Sequence, residues 1–193
     1  KINFNGKEHT VIDLEKFDFS KVKIAFFAAG SAIAEKWAHV AAEKTIVIDN
    51  SKFFRKDTDV PLIVPEVNSK QLNNFKNKNI IANANCSVIP VVVALKPLHD
   101  LYNVKRIVVS TYQSVSGAGK EPMDELLSQT QEYFENKKLQ SKYFTKQIAF
   151  NAIPHIDSFL ENGYTKEEQK TTDEIKKILD KKINITSTCV RIP

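Results

Sequence analysis

VKIAFFAAGSAIAEKWAHVAAEKTIVIDN, residues 22–50, is the stretch that decides the predicted fold. Its first seven residues, Val22 to Ala28, are continuously apolar, which is typical of a strand buried on both faces of a parallel sheet. A tight turn at 29–31 precedes a segment of helical composition, 32–44, and a second short buried strand is predicted at 45–48. The apolar residues of the helix are Ile33, Trp37, Val40 and Ala41. Strand, turn, helix and strand form a βαβ unit, so we expect an α/β fold with a parallel sheet.

A second strand-to-helix junction is predicted at NANCSVIP, residues 83–90. The apolar run 79–82 predicts a buried strand, and a helix follows, because Asn85 and Ser87 are good N-cap types and Pro90 falls within the first turn. Cys86 lies at the junction, where unpaired N–H groups and the helix dipole favour thiolate and lower the pKa of a thiol. Those donors could also hold an oxyanion. The alternative is that Cys86 is a small buried hydrophobe.

Further strands are indicated on either side of these junctions. Asn5-Gly6 within residues 1–10 predicts an early hairpin, and the alternating, β-branched run 104–112 predicts a strand. A flexible Gly-rich loop is expected at 113–120. The run 148–156 is strand-like although Pro154 interrupts it, and a final strand is predicted at 183–192.

Helical patterns fill most of the remainder. We expect Pro97 to kink or end the helix after Cys86. Residues 121–137 predict an amphipathic packing helix, whose apolar side chains are Met123, Leu126, Leu127, Tyr133 and Phe134. Thr165 opens a further helix with Glu168 completing a capping box, and Ile175 and Ile178 form its apolar stripe. Its neighbouring stripe, Glu167, Lys170 and Glu174, has the spacing of an ordinary surface ion-pair ladder.

Composition restricts the class of protein. The net charge of +5 is spread along the 193 residues, which argues against a nucleic-acid arm and suits anionic small molecules. No segment is apolar enough to predict a membrane span or a signal peptide. Two cysteines without metal-ligand spacing favour a reducing cytoplasm and no metal site. The chain opens on Lys1 without Met and closes just after a strand, so we expect both ends to be cut.

Segments with a shared order and spacing cover nearly the whole chain: IDNSKFFR, DVPLIVPEVN, NANCSVIP, LKPLHDLY, VVSTYQSVSGAGK, FNAIPHID, TKEEQKTTDEIKKIL and ITSTCVRIP. Together they resemble the aspartate-semialdehyde dehydrogenase family. The resemblance implies reversible, NADP-linked reduction of 4-phosphoaspartate to aspartate semialdehyde with release of phosphate, a step towards lysine and diaminopimelate, threonine and methionine. In that family a cysteine attacks the acyl phosphate, and hydride then reduces the resulting thioester.

The resemblance also implies roles for individual residues. Cys86 is the expected nucleophile, and Gln113 is expected to orient the thioester carbonyl. Arg191 is expected to pair with the substrate carboxylate, and Glu167 with its amino group. The residues expected to bind phosphate are Arg55, Asn85 and Lys170. The residues expected to contact the cofactor are Gly30 and Ser31 near its phosphates and Ser116 and Gly117 near its nicotinamide.

The implied architecture is a partial Rossmann-like NADP-binding domain at 1–85 and a partial α+β catalytic and dimerisation domain at 86–193. We expect a homodimer or dimer of dimers that acts on a small molecule, with no nucleic-acid or membrane partner. Two family features are absent: an N-terminal GxxGxxG loop, and the general-base His, which is expected beyond Pro193. The four histidines of the chain, His9, His39, His99 and His155, fit no family role. We therefore expect this chain alone to be a poor catalyst.

Two alternatives remain at this point. One is an acyl-phosphate reductase of the same architecture, such as N-acetyl-glutamyl-phosphate reductase. The Glu167–Lys170 pair argues against it, because an acetylated amino group needs no carboxylate partner. The other is a non-catalytic dimerisation or binding module, which the presence of Cys86, Gln113 and Arg191 makes less attractive.

Overall fold

A computed structural model describes all 193 residues and divides them into two compact units. The first unit comprises 1–61 and 70–83, and the second comprises 62–69 and 84–193. The predicted boundary after residue 85 therefore does not anticipate that 62–69 belongs with the later part of the chain. Parallel strands and helices build both units, which confirms the predicted α/β class.

The first unit begins with a hairpin and continues with a parallel sheet. Strands β1 (Ile2–Phe4) and β2 (Lys7–His9) pair antiparallel around Asn5 and Gly6, both at positive φ, as a two-residue hairpin turn requires. The hairpin prediction is confirmed. The other elements of this unit are 3₁₀ turns Leu14–Lys16 and Phe19–Lys21, strand β3 (Ile24–Phe27), helix α1 (Ser31–Ala42), strand β4 (Ile46–Asp49), most of the 3₁₀ helix Ser69–Asn77, and strand β6 (Ile80–Asn83). Strand β4 pairs in parallel with β3 on one side and β6 on the other.

Two details of the βαβ unit differ from the prediction. Strand β3 is not buried on both faces: Ile24 and Phe26, which alternate onto one face of the strand, are 47% and 76% exposed, whereas Phe27 on the other face is buried. Helix α1 does not pack through Val40, which is exposed; the side chains it buries are Ala34, Ala38, Ala41 and Ala42. Alanines at this spacing form one face and allow a helix backbone to approach the strands closely.

The second unit is organised around two long parallel strands. Its elements are strand β5 (Leu62–Ile63), helix α2 (Pro65–Asn68), helix α3 (Val88–Tyr102), strand β7 (Arg106–Ser114), the 3₁₀ turn Val115–Ala118, helix α4 (Lys120–Phe134), helix α5 (Lys166–Ile178) and strand β8 (Asn184–Ile192). Strands β7 and β8 pair from Arg106↔Asn184 to Ser114↔Ile192. Helix α5 packs on β8 and buries Ile175 and Ile178, as predicted.

Three boundaries of the second unit correct the prediction. Helix α3 continues through Pro97 to Tyr102, so the proline does not end it. Strand β7 includes Gln113 and Ser114, which were expected in a flexible loop. The segment 148–156 is irregular and pairs with β8 only through a bridge between Ile153 and Arg191, because Pro154 cannot donate to a ladder.

Helix α4 packs Leu126 against the buried cluster of Val115, Ile148 and Ile153, as predicted, but it also buries polar side chains that were not predicted. Phe134 is 72% exposed and Leu127 59% exposed, whereas Glu125 and Gln129 are buried. The Glu125 carboxylate accepts the backbone N–H groups of Lys142 and Tyr143 at 2.9 and 2.6 Å. The Gln129 side-chain oxygen accepts two more, at 2.9 and 3.1 Å, from residues 148 and 149. These polar side chains are buried because they supply hydrogen-bond partners to an irregular segment.

None of the helices combines the length and apolar character that crossing a bilayer requires.

Candidate active site

The Cys86 thiol is exposed at the N-terminal end of helix α3, whereas the other cysteine, Cys189, is buried. Helical hydrogen bonding begins at the Asn85 carbonyl, which accepts the N–H groups of Val88 and Ile89 at 2.9 and 3.1 Å. Pro90 lies in the first turn, as predicted. The exposed thiol is inconsistent with the alternative that Cys86 is a buried hydrophobe.

Asn85 performs the capping role at this helix end, although Ser87 occupies the N-cap position. The Asn85 Oδ1 accepts the Ser87 N–H at 3.3 Å and the Cys86 Sγ–H at 3.3 Å. Its own N–H donates to Glu174 Oε2 at 2.6 Å, and its Nδ2 donates to Glu167 Oε1 at 2.8 Å. Asn85 is itself buried. Its hydrogen bonds connect Cys86, the nucleophile candidate, to Glu167 and Glu174 of helix α5.

Glu167 accepts hydrogen bonds from three directions. Its Oε1 accepts Asn85 Nδ2 at 2.8 Å and Gln113 Nε2 at 3.3 Å, and its Oε2 lies 3.3 Å from Lys170 Nζ. Burial by itself raises the pKa of Glu167, but the Asn85 hydrogen bond, the Lys170 charge and the Gln113 hydrogen bond outweigh it and lower the pKa. Glu167 is therefore an ionised acceptor and not a proton donor at neutral pH.

Lys170 lies between two carboxylates. Its Nζ is 2.7 Å from Asp157 Oδ2 and 3.3 Å from Glu167 Oε2. Burial works against its charge, but the hydrogen bond to Asp157 and the charge of Glu167 raise the pKa of Lys170. The predicted surface ladder is therefore wrong: the side chains of Glu167 and Lys170 are only 12% and 18% exposed, and Glu174 is buried.

Gln113 lies near the carboxyl end of strand β7, directly opposite Arg191 in the parallel register. Its Oε1 accepts the Thr111 hydroxyl at 3.1 Å while its Nε2 donates to Glu167. These bonds hold the amide in one orientation, with Nε2 directed to the carboxylate that Asn85 also contacts.

Arg191 is buried near the end of strand β8. Its Nη1 donates to the Ser114 carbonyl at 2.7 Å and the Gln113 carbonyl at 3.4 Å. Burial lowers the pKa of Arg191, and the nearby Glu167, Cys86 and Cys189 oppose that effect. Arg191 therefore lies within electrostatic range of Glu167 and Cys86.

A pocket of about 400 Å³ opens beside Arg191. Its walls also include Asp157 and His155, whose ring stacks on Phe159 and whose Nδ1 lies 3.4 Å from the Thr145 hydroxyl. Arg191 is the only predicted site residue in its walls. The pocket is large enough for a small organic anion, and Arg191 supplies the matching charge.

The predicted cofactor residues occur in both units. In the first unit, Gly30 is the N-cap of α1 at φ +89° and follows the carboxyl end of β3. In the second, Ser116 and Gly117 lie in the 3₁₀ turn after β7, and a Cβ on Gly117 would lie 3.7 Å from Arg191 Nη1. No group of three or more His, Cys, Asp or Glu side chains is arranged to hold a metal ion.

Sequence reasoning missed two contributors to the site. Glu174 was assigned to the surface, although its position two turns after Glu167 on the same stripe could have indicated a shared environment. Asp157 carried no sequence signal for pairing with Lys170. It belongs to an irregular segment and adopts φ 68°, so only the folded backbone reveals where its carboxylate lies.

Two family models match this chain. Residues 1–75 match "Semialdehyde dehydrogenase, NAD binding domain", and residues 95–193 match "Semialdehyde dehydrogenase, dimerisation domain". The chain belongs to the semialdehyde dehydrogenase family.

Curated relatives within the family carry a more specific name. An aspartate-semialdehyde dehydrogenase of Shewanella sp. (strain DB6705) is 50% identical over 100% of this chain and 57% of its own length. Aspartate-semialdehyde dehydrogenase 2 of Vibrio cholerae is 52% identical over 98% of this chain and 57% of its own length. This semialdehyde dehydrogenase chain therefore spans just over half the length of the curated relatives it matches.

Solved structures of the family superimpose closely. The crystal structure of aspartate semialdehyde dehydrogenase II from Vibrio cholerae has a TM-score of 0.96 and 52% identity, and covers 100% of this chain and 58% of that one. The same enzyme complexed with ASA gives a TM-score of 0.95 and 51% identity at the same coverage. These similarities confirm the family predicted from the sequence segments.

Proposed function

We propose that this semialdehyde dehydrogenase chain belongs to an enzyme that reversibly reduces 4-phospho-L-aspartate to L-aspartate 4-semialdehyde with release of phosphate. The relatives carry the name of that activity, and one related structure is described as complexed with ASA. The observation that carries the proposal is the exposed Cys86 thiol, joined through Asn85 to the carboxylate of Glu167.

Cys86 is the proposed nucleophile. After the thiol loses its proton to solvent, the thiolate sulfur attacks the carbonyl carbon of the acyl phosphate, a C–S bond forms, the C–O bond to the phosphate breaks, and phosphate leaves with the electron pair. The positive end of the α3 helix dipole is proposed to stabilise the negative charge that develops on the carbonyl oxygen. Exposure of the thiol allows substrate to reach it without opening the core.

Two charged side chains and one amide are proposed to select and orient the substrate. Glu167, kept ionised by its hydrogen bonds, pairs with the substrate ammonium group, and Arg191 pairs with the carboxylate. Gln113, held by Thr111 and Glu167, orients the thioester carbonyl through its second Nε2 hydrogen. One carboxylate and one guanidinium in a single site match the charge pattern of an amino acid.

Phosphate binding is proposed for Lys170, Arg55 and Asn85, with unequal support. Lys170 carries a charge that the surrounding carboxylates sustain. Arg55 donates from Nη2 to the Asn50 carbonyl at 3.1 Å within the first unit, and its role stays a prediction. The Asn85 side chain already serves Cys86, Ser87 and Glu167, so its contribution is better explained as orientation of those groups.

NADP is the proposed cofactor. The Gly30 turn fits a dinucleotide phosphate, since a helix N-terminus meets the end of a parallel strand there and the space that a Cβ would occupy is open. Gly30 and Ser31 would contact the phosphates, and Ser116 and Gly117 the nicotinamide end. When bound, the nicotinamide supplies the hydride that converts the thioester to the aldehyde.

A homodimer is the proposed assembly, as the family model's description of residues 95–193 suggests. The second unit exposes large apolar side chains on β7 and α4, including Val108, Tyr112, Leu127 and Phe134. These exposed apolar side chains are the proposed interaction surface, because contiguous exposed apolar area favours association. We also propose a cytoplasmic location, where Cys86 and Cys189 stay reduced.

Mass spectrometry of the acylated chain tests the chemistry. The purified protein is mixed with 4-phosphoaspartate without cofactor, quenched in acid and digested. We expect an aspartyl thioester on the Cys86 peptide, none on the Cys189 peptide, and none in Cys86→Ser. Acylation that persists in Cys86→Ser, or its absence from folded wild type, would refute the nucleophile assignment.

Substrate choice is tested in the same assay with N-acetyl-glutamyl phosphate as competitor. We expect preference for the free amino group, and we expect Glu167→Ala to reduce that preference. A Glu167→Ala variant with unchanged discrimination would contradict the proposed ammonium contact.

Sedimentation velocity tests the assembly. Tyr112→Asp and Val108→Asp should shift a dimer towards monomer, whereas the exposed polar change Lys166→Ala, outside the surface, should not. A wild-type chain that remains monomeric at high concentration would refute dimerisation through this surface.

A further inference from the structure

Glu174 is a carboxylate in an unusual place. It projects from helix α5 with only 3% exposure, and its Oε2 accepts the backbone N–H of Asn85, 89 positions away in the sequence, at 2.6 Å. A buried carboxylate costs free energy unless charge-assisted hydrogen bonds compensate. Here one such hydrogen bond comes from the residue immediately before Cys86.

The anchored residue, Asn85, has three further side-chain bonds that all depend on its position. Oδ1 accepts from Cys86 Sγ and the Ser87 N–H, and Nδ2 donates to Glu167 Oε1. Because one side chain serves both groups, displacement of the Asn85 backbone would change the Cys86 rotamer and remove a donor from Glu167 together. Helix α5 thereby carries Glu167 and Glu174 on one stripe and contacts Asn85 through both.

We propose that Glu174 is a positioning residue: its carboxylate fixes Asn85 and, through Asn85, sets the Cys86 thiol and the Glu167 carboxylate relative to each other. This inference rests on the proposed function only in naming Cys86 the nucleophile. The geometry itself concerns four side chains and one backbone N–H of the folded chain and needs no substrate or cofactor to be tested.

A purely structural role makes a different prediction. If Glu174 only helps helix α5 to pack, then its loss lowers stability without a specific change at Cys86 or Glu167. Glu168 provides the matched control, since it is also a buried glutamate of α5 and accepts two backbone N–H groups, from Thr165 at 2.8 Å and Cys189 at 3.1 Å. At either position, replacement by Ala therefore removes a buried carboxylate and the hydrogen bonds that it accepts from backbone N–H groups.

The wild-type chain supplies the first test. NMR on deuterated, ¹⁵N,¹³C-labelled protein should detect a scalar coupling across the hydrogen bond between the Asn85 amide nitrogen and the Glu174 side-chain carboxyl carbon. Absence of the coupling, with the Asn85 amide resolved and exchanging at the rate of an exposed amide, would overturn the proposal without any variant.

Three variants supply the second test: Glu174→Ala, Glu174→Gln and the control Glu168→Ala. In Glu174→Ala the Asn85 amide should exchange at least about tenfold faster, as expected on loss of one charge-assisted hydrogen bond. The pKa of Glu167, read from its ¹³C carboxyl shift, should rise because the Asn85 donor is no longer held. The Cys86 χ1 couplings should change from a single rotamer to an average.

Rescue distinguishes positioning from packing. Glu174→Gln keeps an oxygen that can accept the Asn85 N–H, so its Glu167 pKa and Cys86 couplings should resemble the wild type. The control Glu168→Ala should lose stability while the Asn85 amide exchange and the Cys86 couplings stay unchanged; the pKa of Glu167 is not compared in this control, because Glu168 caps the helical turn that carries Glu167. Equal changes in Glu174→Ala and Glu168→Ala would overturn the proposal, as would Glu174→Ala with wild-type readouts. If Glu174→Ala does not fold, the scalar coupling in the wild-type chain still decides.

Failure of this inference is separable from failure of the proposed function. An aspartyl thioester on Cys86 with no role for Glu174 would leave the nucleophile in place and remove only the positioning claim. If the Glu174 readouts are as expected but no thioester forms, the positioning claim stands and the nucleophile assignment fails.

Discussion

Replacing Glu167 by Gln should destabilise the second unit by an amount that the site geometry sets. The carboxylate accepts from Asn85 at 2.8 Å, Gln113 at 3.3 Å and Lys170 at 3.3 Å. Gln retains one acceptor oxygen, and Lys170 retains Asp157, so the net loss is roughly one hydrogen bond to a charged group, about 1.5–3 kcal/mol. For a chain of this size that corresponds to a fall in thermal midpoint of about 3–12 °C.

The pH dependence of this difference follows from the pKa of Glu167. Because that pKa is lowered in the folded state, the carboxylate contributes stability above its ordinary value of 4.5 and loses it as the pH falls through the lowered pKa. The gap between wild type and Glu167→Gln should therefore be constant above that range and shrink below pH 4.5.

Circular dichroism melts from neutral to acidic pH measure the difference, with urea titrations as an independent check. Glu66→Gln removes an exposed carboxylate and should remain close to wild type throughout. Equal stability of Glu167→Gln and wild type at neutral pH, or a gap that does not change on acidification, would refute the assignment of Glu167 as an ionised, multiply bonded acceptor.

Three further outcomes are expected. Thr165→Ala should lower the free energy of unfolding by about 1 kcal/mol, since its side chain caps helix α5, and a denaturant titration measures it. Asp157→Asn should lower the pKa of Lys170, because the Asp157 hydrogen bond is the foremost contribution that raises it; ¹⁵N NMR of the ammonium would contradict this by showing no decrease. Arg191→Ala should reduce the ratio of iodoacetate to iodoacetamide alkylation rates at Cys86 about fivefold, as the guanidinium contributes about 1 kcal/mol of attraction to an anion. A ratio unchanged in that variant would show that Arg191 does not act at the thiol.

Local sequence signals were sufficient wherever a short segment decided its own conformation. Asn5-Gly6 predicted a hairpin because few residue pairs tolerate two positive φ angles, and Thr165 with Glu168 predicted a helix start because both bonds of the capping box lie within one turn. The Cys86 junction was predicted correctly for the same reason. Helix α4 was predicted as a packing helix, and Leu126 does pack on the core, but the burial of Glu125 and Gln129 was not predicted, because the backbone that they satisfy lies in a later, irregular segment.

The candidate site residues also divide into those that the sequence predicted and those that only the structure revealed. Cys86, Gln113, Glu167, Lys170 and Arg191 were identifiable from family segments, and the structure brings them together in the second unit through Asn85 and the Gln113↔Arg191 register. Asp157 and Glu174 were not identified from the sequence. A carboxylate is expected at the surface by default, and only its partners in the folded chain show that it is buried or paired.

By itself, the sequence determined the strand–helix order, the helix caps, the hairpin turn and the residue types that identify the semialdehyde dehydrogenase family, since each depends on neighbours a few positions apart. Tertiary structure alone decided that Glu174 meets Asn85 across 89 positions and that Lys170 lies between two carboxylates. The physical reason is that the charge state and orientation of a buried polar group depend on partners that folding supplies from distant parts of the chain.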